Sequence, residues 1–336
     1  MRIPSMVVRT VLLGIGAVSG ALLAAAPAAT QTLKLTTLDR EQEITSQPLI
    51  WWMKTIEEKT NKRVQFQPYW SSSLVPAPRT LSAVKSGIAD VGYLVSALMT
   101  GEERDFAALD LDGAVPTDER YAQVWEAIEP VVNKILDRHG VVMAWPRRSP
   151  KVVISCKNKF LTQASDYAGT KIRAAGRWES AAITRWGATV FSIPPADTYT
   201  ALQTGTVDCT YHVYPLVWAF KFYEVAPFIT QLDDSAAFTF IGMNKAKWNQ
   251  ISEADRKVIQ GISKEAIHRE IDVVGKRELG IVEDLKKAGV KFHQPSAAER
   301  KRLRDAITPL WGEIRKAVSP NGVELTDILE RLQPRR

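Results

Sequence analysis

Residues 199–208 have the sequence YTALQTGTVD, and residues 81–90 have the related sequence LSAVKSGIAD. Each stretch predicts a helix end, a glycine suited to the left-handed cap, two further residues, and an aspartate that opens a strand. The two aspartates, Asp90 and Asp208, are 118 positions apart, which is too far for a solenoid repeat. We interpret the stretches as one unit in each of two similarly built lobes; a chance similarity between ordinary helix-to-strand connections is the alternative. Two such lobes suggest a cleft that binds a small molecule.

Around these stretches, the spacing of apolar residues alternates between strand and helix, which is typical of α/β folds. The pattern predicts strands over 31–37, 63–68, 141–144, 151–155, 171–173 and 189–193, and helices over 48–61, 120–139 and 179–186. An amphipathic pattern then runs with little interruption over residues 255–287, which is longer than most globular helices. A helix of this length can reach across two domains. The predicted fold class is α/β.

The composition is that of an ordinary globular chain of roughly two domains. The 336 residues are 45% hydrophobic and 24% charged, with 19 Gly and 18 Pro, which excludes disordered, collagen-like and disulfide-scaffold proteins. The net charge of +7 comes from 44 basic and 37 acidic side chains spread along the chain. Because no long block of one sign appears, a solvated surface is a better interpretation than a nucleic-acid-binding surface.

The first 28 residues are typical of a secretory signal peptide. Arg2 and Arg9 precede an uncharged run from Val11 to Leu23, and small residues follow it. We expect cleavage after Ala28; an uncleaved anchor or a lipoprotein is the alternative, although no Cys stands near the site. Because no other apolar segment is long enough to span a bilayer, the mature protein is predicted to be exported and not embedded in a membrane.

Export permits a disulfide between the chain's two cysteines, Cys156 and Cys209. Each cysteine also lies in a strand-like stretch where a buried thiol would be stable, so both interpretations stay open at this point. A metal site on these cysteines is not expected, because companion ligands at short spacing are missing.

The chain carries no recognisable catalytic motif. It has no Gly-x-Ser-x-Gly, P-loop, His-Glu-x-x-His or Cys-x-x-Cys pattern, and its four histidines are scattered. The run Asp110-Leu111-Asp112-Gly113 resembles a calcium loop but lacks the later ligands, so a turn is the better interpretation. These observations favour a binding protein over an enzyme, and they predict neither a metal nor another cofactor.

The second half of the chain carries several short motifs in a fixed order. They are Gly169-Thr170-Lys171-Ile172-Arg173, Gly187-Ala188, Pro194-Pro195 and the stretch 199–208. Together with the stretch 81–90, these motifs resemble the solute-binding proteins of TRAP transporters, the DctP-type family. The resemblance covers nearly the whole mature chain in length and in the order of elements.

The resemblance implies a two-lobed fold of the periplasmic binding protein kind, with two hinge strands and a long bridging helix. By this analogy lobe I comprises residues 31–150 and 238–278, and lobe II comprises residues 151–237 and 279–336, including the C-terminal helices. The resemblance also implies a function. Such a protein captures an organic carboxylate in the periplasm and delivers it to TRAP membrane permease subunits that an ion gradient drives.

Arg173 is the candidate partner of the ligand's carboxylate. It ends a short apolar strand, and its planar guanidinium can hold a carboxylate with two parallel charge-assisted hydrogen bonds. A surface ion pair with a neighbour such as Glu179 is the alternative that spacing alone leaves open. The resemblance assigns Arg173 to the carboxylate-binding Arg of the family's Lys-Ile-Arg motif. A second Arg that many relatives carry earlier in the chain has no clear counterpart here, since Lys151-Val152-Val153 stands in that region.

A histidine and several aromatic side chains complete the predicted site. His212 stands where the family commonly has an Asn that reaches the ligand. The other candidates are Trp70, Tyr93, Trp178, Tyr211 and Tyr214. Because aromatic rings bury large areas and stack on planar groups, we hypothesise a ligand with an apolar or aromatic body. Core packing is the alternative for each ring.

Two other functions stay open at this point. A sensor protein would present its closed form to a membrane receptor instead of a permease. An exported enzyme would use His212 with Asp208 or Tyr214 as acid and base.

Overall fold

The computed structural model describes residues 30–111, 118–235 and 238–333, so the predicted signal peptide lies outside the described residues. The strands are β1 (Gln31–Thr36), β2 (Val64–Tyr69), β3 (Val91–Val95), β4 (Val141–Arg147), β5 (Lys151–Cys156), β6 (Lys171–Ala174), β7 (Thr189–Ser192), β8 (Cys209–Val213), β9 (Phe228–Ser235), β10 (Thr239–Asn244) and β11 (Lys291–His293). The helices are α1 (Gln47–Lys59), α2 (Thr80–Ser86), α3 (Ser96–Met99), α4 (Asp118–Arg138), α5 (Ala164–Tyr167), α6 (Arg177–Arg185), α7 (Pro195–Thr204), α8 (Tyr214–Ala219), α9 (Lys245–Gln250), α10 (Glu253–Lys287), α11 (Ala297–Ala317) and α12 (Pro320–Leu332). Short 3-10 helices span Ile44–Ser46, Ala77–Arg79, Arg104–Asp110 and Phe222–Glu224.

Two sheets divide the strands into two lobes. The first sheet has the order β2-β1-β3-β10-β4, and the second has the order β11-β9-β5-β8-β6-β7. In the first sheet β1 runs parallel to β2 and β3, and β10 runs antiparallel to β3; in the second, β6 runs parallel to β7 and β8, and β5 runs antiparallel to β8. The chain passes to the second sheet between β4 and β5 and returns between β9 and β10. The two-lobed α/β fold predicted from the sequence is therefore confirmed.

The two related stretches form the same structure in both lobes. The glycines that follow α2 and α7 have φ of +76° and +77°, in the left-handed region that favours glycine. In the first lobe, the Asp90 carboxylate accepts a hydrogen bond from the backbone N–H of Lys34 at 2.9 Å. In the second lobe, the Asp208 carboxylate accepts one from the backbone N–H of Lys171 at 2.9 Å. These matching bonds fix β3 beside β1 and β8 beside β6, and they confirm the interpretation of two similarly built lobes.

Helix α10 connects the lobes. It begins after Ser252, whose hydroxyl accepts from the N–H of Asp255, and it continues for 35 residues. It packs against α1 and β4 of the first lobe and against α8 of the second. The bridging helix predicted over residues 255–287 is therefore confirmed. Across the described residues, none of the helices combines the length and apolarity that crossing a membrane requires.

Cys156 and Cys209 form a disulfide that joins β5 to β8. Both residues are fully buried, and they are register partners in this antiparallel pair. Of the two interpretations that the sequence left open, the structure shows the paired one.

One strand is longer than the sequence pattern predicts. Strand β4 extends beyond residue 144 through Pro146 to Arg147, which is possible because β4 lies at the edge of its sheet, where a missing N–H is tolerated. Helix α12 packs against α4, next to the first sheet, and against α11. The domain boundaries themselves stay a prediction.

Candidate functional site

The carboxyl ends of the parallel strands of the two lobes face each other. After β3 the chain reaches Asp110, whose Oδ2 accepts a hydrogen bond at 2.9 Å from the N–H of Trp178, just after β6. After β1 the chain reaches Arg40, whose guanidinium lies 5.2 Å from the ring centroid of Phe220, after β8. Open α/β sheets bind ligands outside the carboxyl ends of their strands. The candidate site is therefore the cleft between these two contacts.

Arg173 lies on β6 and is buried, with only 4% of its surface exposed. Its Nε donates to the carbonyl oxygen of Ile193 at 2.8 Å, and its Nη1 donates to that of Tyr211 at 3.3 Å. Burial lowers the pKa of the guanidinium, and the negative charge of Glu179 partly opposes this effect. Within the described residues, its hydrogen bonds go to backbone oxygens, and the ion pair with Glu179 considered above is not formed. Arg173 thus presents a buried positive charge beside the cleft.

His212, on β8, is a neutral hydrogen-bond donor next to Arg173. Burial, with the positive charge of Arg173 as the smaller cause, lowers the pKa of the imidazole well below its ordinary value. Nδ1 accepts from the N–H of Val213 at 3.1 Å, which assigns the proton to Nε2. The Nε2 atom is buried, and it has no hydrogen-bond partner in the part of the chain that the structure describes. Arg173 and His212 therefore offer two neighbouring donors to an anion.

Two buried hydroxyl groups lie on the same face of the sheet. Thr210 is the register partner of both Ser155 and Arg173, and His212 shares its face because it stands two residues further along β8. Neither Thr210 Oγ1 nor Ser155 Oγ has a partner among the described residues. Since buried polar groups are normally hydrogen-bonded, a polar molecule bound at this face would satisfy them.

Asp110 of the first lobe caps helix α6 of the second. The N-cap residue of this helix is Gly176, which has no side chain to cap it, and a Cβ at that position would lie only 2.1 Å from Asp110 Oδ1. The backbone N–H groups of Arg177 and Trp178 bond the Asp110 carboxylate instead. Oδ1 is buried without a partner among the described residues. Burial, and secondly the charge of Glu179, raise the pKa of Asp110 well above its ordinary value.

We expect the Asp110→Asn variant to lose less stability than the wild type as pH rises. Folded Asp110 keeps its proton at pH values where the unfolded chain has released it, so its contribution is present at low pH and is lost as pH rises through the folded pKa. Urea denaturation of both proteins from about pH 5 to about pH 8 measures the difference in unfolding free energy. This difference, wild type minus variant, should fall with pH; a constant or rising difference would contradict the assignment.

Arg147, at the end of β4 in the first lobe, is enclosed by acidic and aromatic groups. Its Nη1 donates to Asp39 Oδ2 at 2.8 Å, and its Nε donates to Glu270 Oε1 at 3.0 Å. The guanidinium carbon lies 4.2 Å from the ring centroid of Tyr93, one of the predicted ligand-binding residues. Burial raises the pKa of Glu270 to about 7, against the opposing effect of Arg147. The charge of Arg147 is therefore already balanced within the protein.

The two predicted tryptophans occupy different surroundings. Trp178 lies in α6 and is 6% exposed. Its own N–H donates to Asp110, and the next residue, Glu179, influences the pKa of Arg173. Trp70 follows β2 and is partly buried against the core of the first lobe. Trp178 is thus placed at the contact between the lobes, and a direct role in ligand binding stays a prediction for both rings.

Tyr211 and Tyr214 are both buried. Tyr211 alternates with His212 along β8, so its ring lies on the opposite face of the sheet, although its carbonyl oxygen accepts a bond from Arg173. The Tyr214 hydroxyl accepts from Gln231 at 2.7 Å and lines a pocket of about 490 Å³ beside α10. Their contact with a ligand stays a prediction.

Asp110 is the residue that sequence reasoning missed, since its run was interpreted as a turn. The available signal was Gly176, a glycine between a strand and a helix that leaves the helix without its own cap. That signal indicates an external cap but not its source, because Asp110 is distant in sequence. Among the described residues, no group of three or more His, Cys, Asp or Glu side chains is placed to hold a metal ion.

The structure combines two α/β lobes, a bridging helix and a buried guanidinium beside the cleft. This combination is typical of a protein that binds a small molecule between its lobes. Residues 39–317 match the family DctP, described as bacterial extracellular solute-binding protein, family 7. The chain belongs to this family, and the predicted resemblance to TRAP solute-binding proteins is confirmed.

Three similar proteins illustrate the relationship. The outer membrane transporter protein TsaT of Comamonas testosteroni is 28% identical over 326 residues, which cover 93% of this chain and 95% of that protein. The 2,3-diketo-L-gulonate-binding periplasmic protein YiaO of Escherichia coli K12 is 24% identical over 281 residues, covering 83% and 85%. A crystal structure of a TRAP periplasmic solute-binding protein from Desulfovibrio salexigens with bound orotic acid has a TM-score of 0.81 and 22% identity, covering 89% of this chain and 97% of that one.

Proposed function

We propose that this protein captures a small organic carboxylate between its lobes and delivers it to a TRAP permease driven by an ion gradient. The single observation that carries the proposal is the buried guanidinium of Arg173, which bonds backbone oxygens and lies beside the cleft. Burying a charge without a counter-charge is costly, so a binding protein retains it where a ligand supplies the opposite charge.

Two comparisons support the class of ligand. The Escherichia coli relative is named for a sugar acid, and the Desulfovibrio salexigens structure holds orotic acid. Orotic acid is planar, and Trp178 at the contact between the lobes supports a ligand with an apolar or aromatic body.

The proposal includes export and excludes catalysis. Residues 1–28 would direct the chain to the periplasm and be removed after Ala28, which N-terminal sequencing of the exported protein tests. The alternative, an exported enzyme, would use His212 with Asp208 or Tyr214 as acid and base. His212 Nδ1 accepts from the N–H of Val213, the Asp208 carboxylate accepts from the N–H of Lys171, and the Tyr214 hydroxyl accepts from Gln231. These contacts favour a ligand that is bound and released unchanged.

Mass spectrometry tests this function directly. The protein is purified from its native host without added ligand, denatured, and the released small molecules are identified. We expect an organic acid that binds again in calorimetry and is recovered unchanged after long incubation. A ligand without an acidic group, or one that is converted, would contradict the proposal.

We expect His212→Phe to weaken carboxylate binding roughly 10- to 100-fold, because it removes one hydrogen bond to a charged group. Phenylalanine keeps a ring against Phe222, whose centroid lies 5.6 Å from that of His212. His212→Gln is the matched control, since its amide keeps an N–H donor and should lose less affinity. Equal losses for both variants in calorimetry would show that His212 acts through packing and not as a donor.

A further inference from the structure

We infer that the site selects ligands with a single carboxylate and discriminates against dicarboxylates. The inference rests on the proposed function and names the class of ligand within it. The inference follows from the balance of buried charges around the cleft and around the linker between β4 and β5.

Two of the three buried arginines in this region are already paired. Arg147 is 1% exposed and bonds Asp39 and Glu270, as described above. Arg148 is 2% exposed, and its Nη2 lies 2.6 Å from Glu278 Oε2. Arg173 is the buried arginine for which the described residues provide no salt bridge. A ligand therefore meets one buried guanidinium that has no salt bridge among the described residues, although the charge of Glu179 acts on it.

Acidic groups outnumber these arginines. Among the described residues, the buried carboxyl groups that contact or influence these arginines or Asp110 are Asp39, Asp110, Glu179, Glu270 and Glu278. With Asp110 protonated, four carboxyl groups remain for three guanidinium groups, although Glu270 is only partly ionised near neutral pH. Glu179 is near enough to influence the pKa of both Arg173 and Asp110. Among the described residues, the buried groups near Arg173 thus provide no further positive charge for a second carboxylate of the ligand.

In the first lobe a threonine stands at the position that corresponds to Arg173. By the repeat described above, Lys34 corresponds to Lys171, so Thr36 of the first lobe corresponds to Arg173. The internal segments 112–117 and 236–237 contain no Lys, Arg or His.

The exposed arginines at the edge of the site, Arg40 and Arg177, are poor counter-charges for a second carboxylate. Arg40 is paired with Glu43 at 3.8 Å and lies over Phe220, and Arg177 lies over the ring of Trp178. Both side chains are exposed to solvent, where charges are screened. A second carboxylate enclosed with the first would lose its hydration and face Glu179 without a buried counter-charge.

Matched pairs of acids test the inference on the wild-type protein by calorimetry. The pairs are hexanoate and adipate, 2-oxopentanoate and 2-oxoglutarate, and benzoate and terephthalate. In each pair that binds, we expect the monocarboxylate to bind at least roughly tenfold more tightly. A dicarboxylate that binds as tightly as its partner would overturn the inference while leaving the proposed function intact.

If none of the six acids binds, the identity of the ligand recovered from the native host tests the inference. A monocarboxylate supports the inference, and a dicarboxylate overturns it. A ligand without a carboxylate ends both the inference and the proposed function.

A variant of Glu179 tests the cause of the selectivity. Glu179→Gln keeps an oxygen that can accept from the N–H of Ala175, a bond of 2.7 Å in the wild type, and removes the negative charge. We expect the ratio of the affinities for the monocarboxylate and the matched dicarboxylate to fall by roughly tenfold in this variant. Glu299→Gln is the matched control, because Glu299 is also 8% exposed but pairs with His293, next to α11. An equal effect of both variants would overturn the assignment to Glu179.

Discussion

Replacing Arg173 with Met should weaken carboxylate binding roughly 30-fold to several thousandfold, which corresponds to about 2–5 kcal/mol. The stability of the ligand-free protein should stay the same or rise. The guanidinium is buried against carbonyl oxygens of Ile193 and Tyr211 without a carboxylate at salt-bridge distance among the described residues. We therefore expect its burial to cost free energy, which the proposed carboxylate ligand would offset. Methionine fills a similar volume and carries no charge.

Two measurements separate these effects. Calorimetry with the ligand recovered from the host gives the affinity, and urea denaturation without ligand gives the free energy of unfolding. Arg173→Lys is the matched control, because it keeps the charge but loses the planar fork, and it should bind more weakly than wild type and more tightly than Arg173→Met. If Arg173→Met binds normally, or if it loses stability as severely as affinity, Arg173 is a structural residue.

Removing the disulfide should cost about 4 kcal/mol of unfolding free energy. Cys156 and Cys209 are 53 positions apart in sequence, and the bond between them restricts the unfolded chain accordingly. The double variant Cys156→Ala/Cys209→Ala, measured by urea denaturation, tests this value. Because the loop contains β6, α6, β7 and α7, the loss should also be seen as faster amide hydrogen exchange around Arg173.

A reductant provides the control for the disulfide. Wild-type protein denatured in the presence of a reductant should approach the stability of the double variant, and the double variant itself should not respond to the reductant. A loss below about 1 kcal/mol in the double variant would mean that the bond contributes little beyond the packing of two buried cysteines.

The fold could be predicted from the sequence because its signals are local. The helix end, the left-handed glycine and the following aspartate recur at residues 81–90 and 199–208, and both form the predicted turn. The long amphipathic run became α10 with nearly the predicted bounds, Glu253–Lys287. Periodicity and capping are properties of neighbouring residues, so they can be recognised before the chain is folded.

The electrostatics of the site could not be predicted in this way. Arg147 bonds Asp39 and Glu270, partners separated from it by 108 and 123 positions, and nothing in the local sequence indicates which carboxylate will reach it. The protonated nitrogen of His212 depends on a bond from the backbone of Val213, which spacing does not reveal. The choice between paired and free cysteines likewise required the register of β5 and β8.

Two buried glutamates of α10, Glu270 and Glu278, limit how the two lobes can move. Glu270 accepts a hydrogen bond from Arg147. Glu278 accepts one from Arg148 and another, at 2.6 Å, from the N–H of Lys151. Both ends of the linker between β4 and β5 are therefore attached to the same helix. Eight helical residues separate these two anchors by about 12 Å along the axis. Sliding one lobe past the other along this helix would break both contacts, whereas a hinge rotation centred on the linker would displace the contacting atoms less. The lobes should therefore open by a hinge motion. The ligand's thickness across the cleft, more than its length along the cleft, should then decide whether the lobes can close around it.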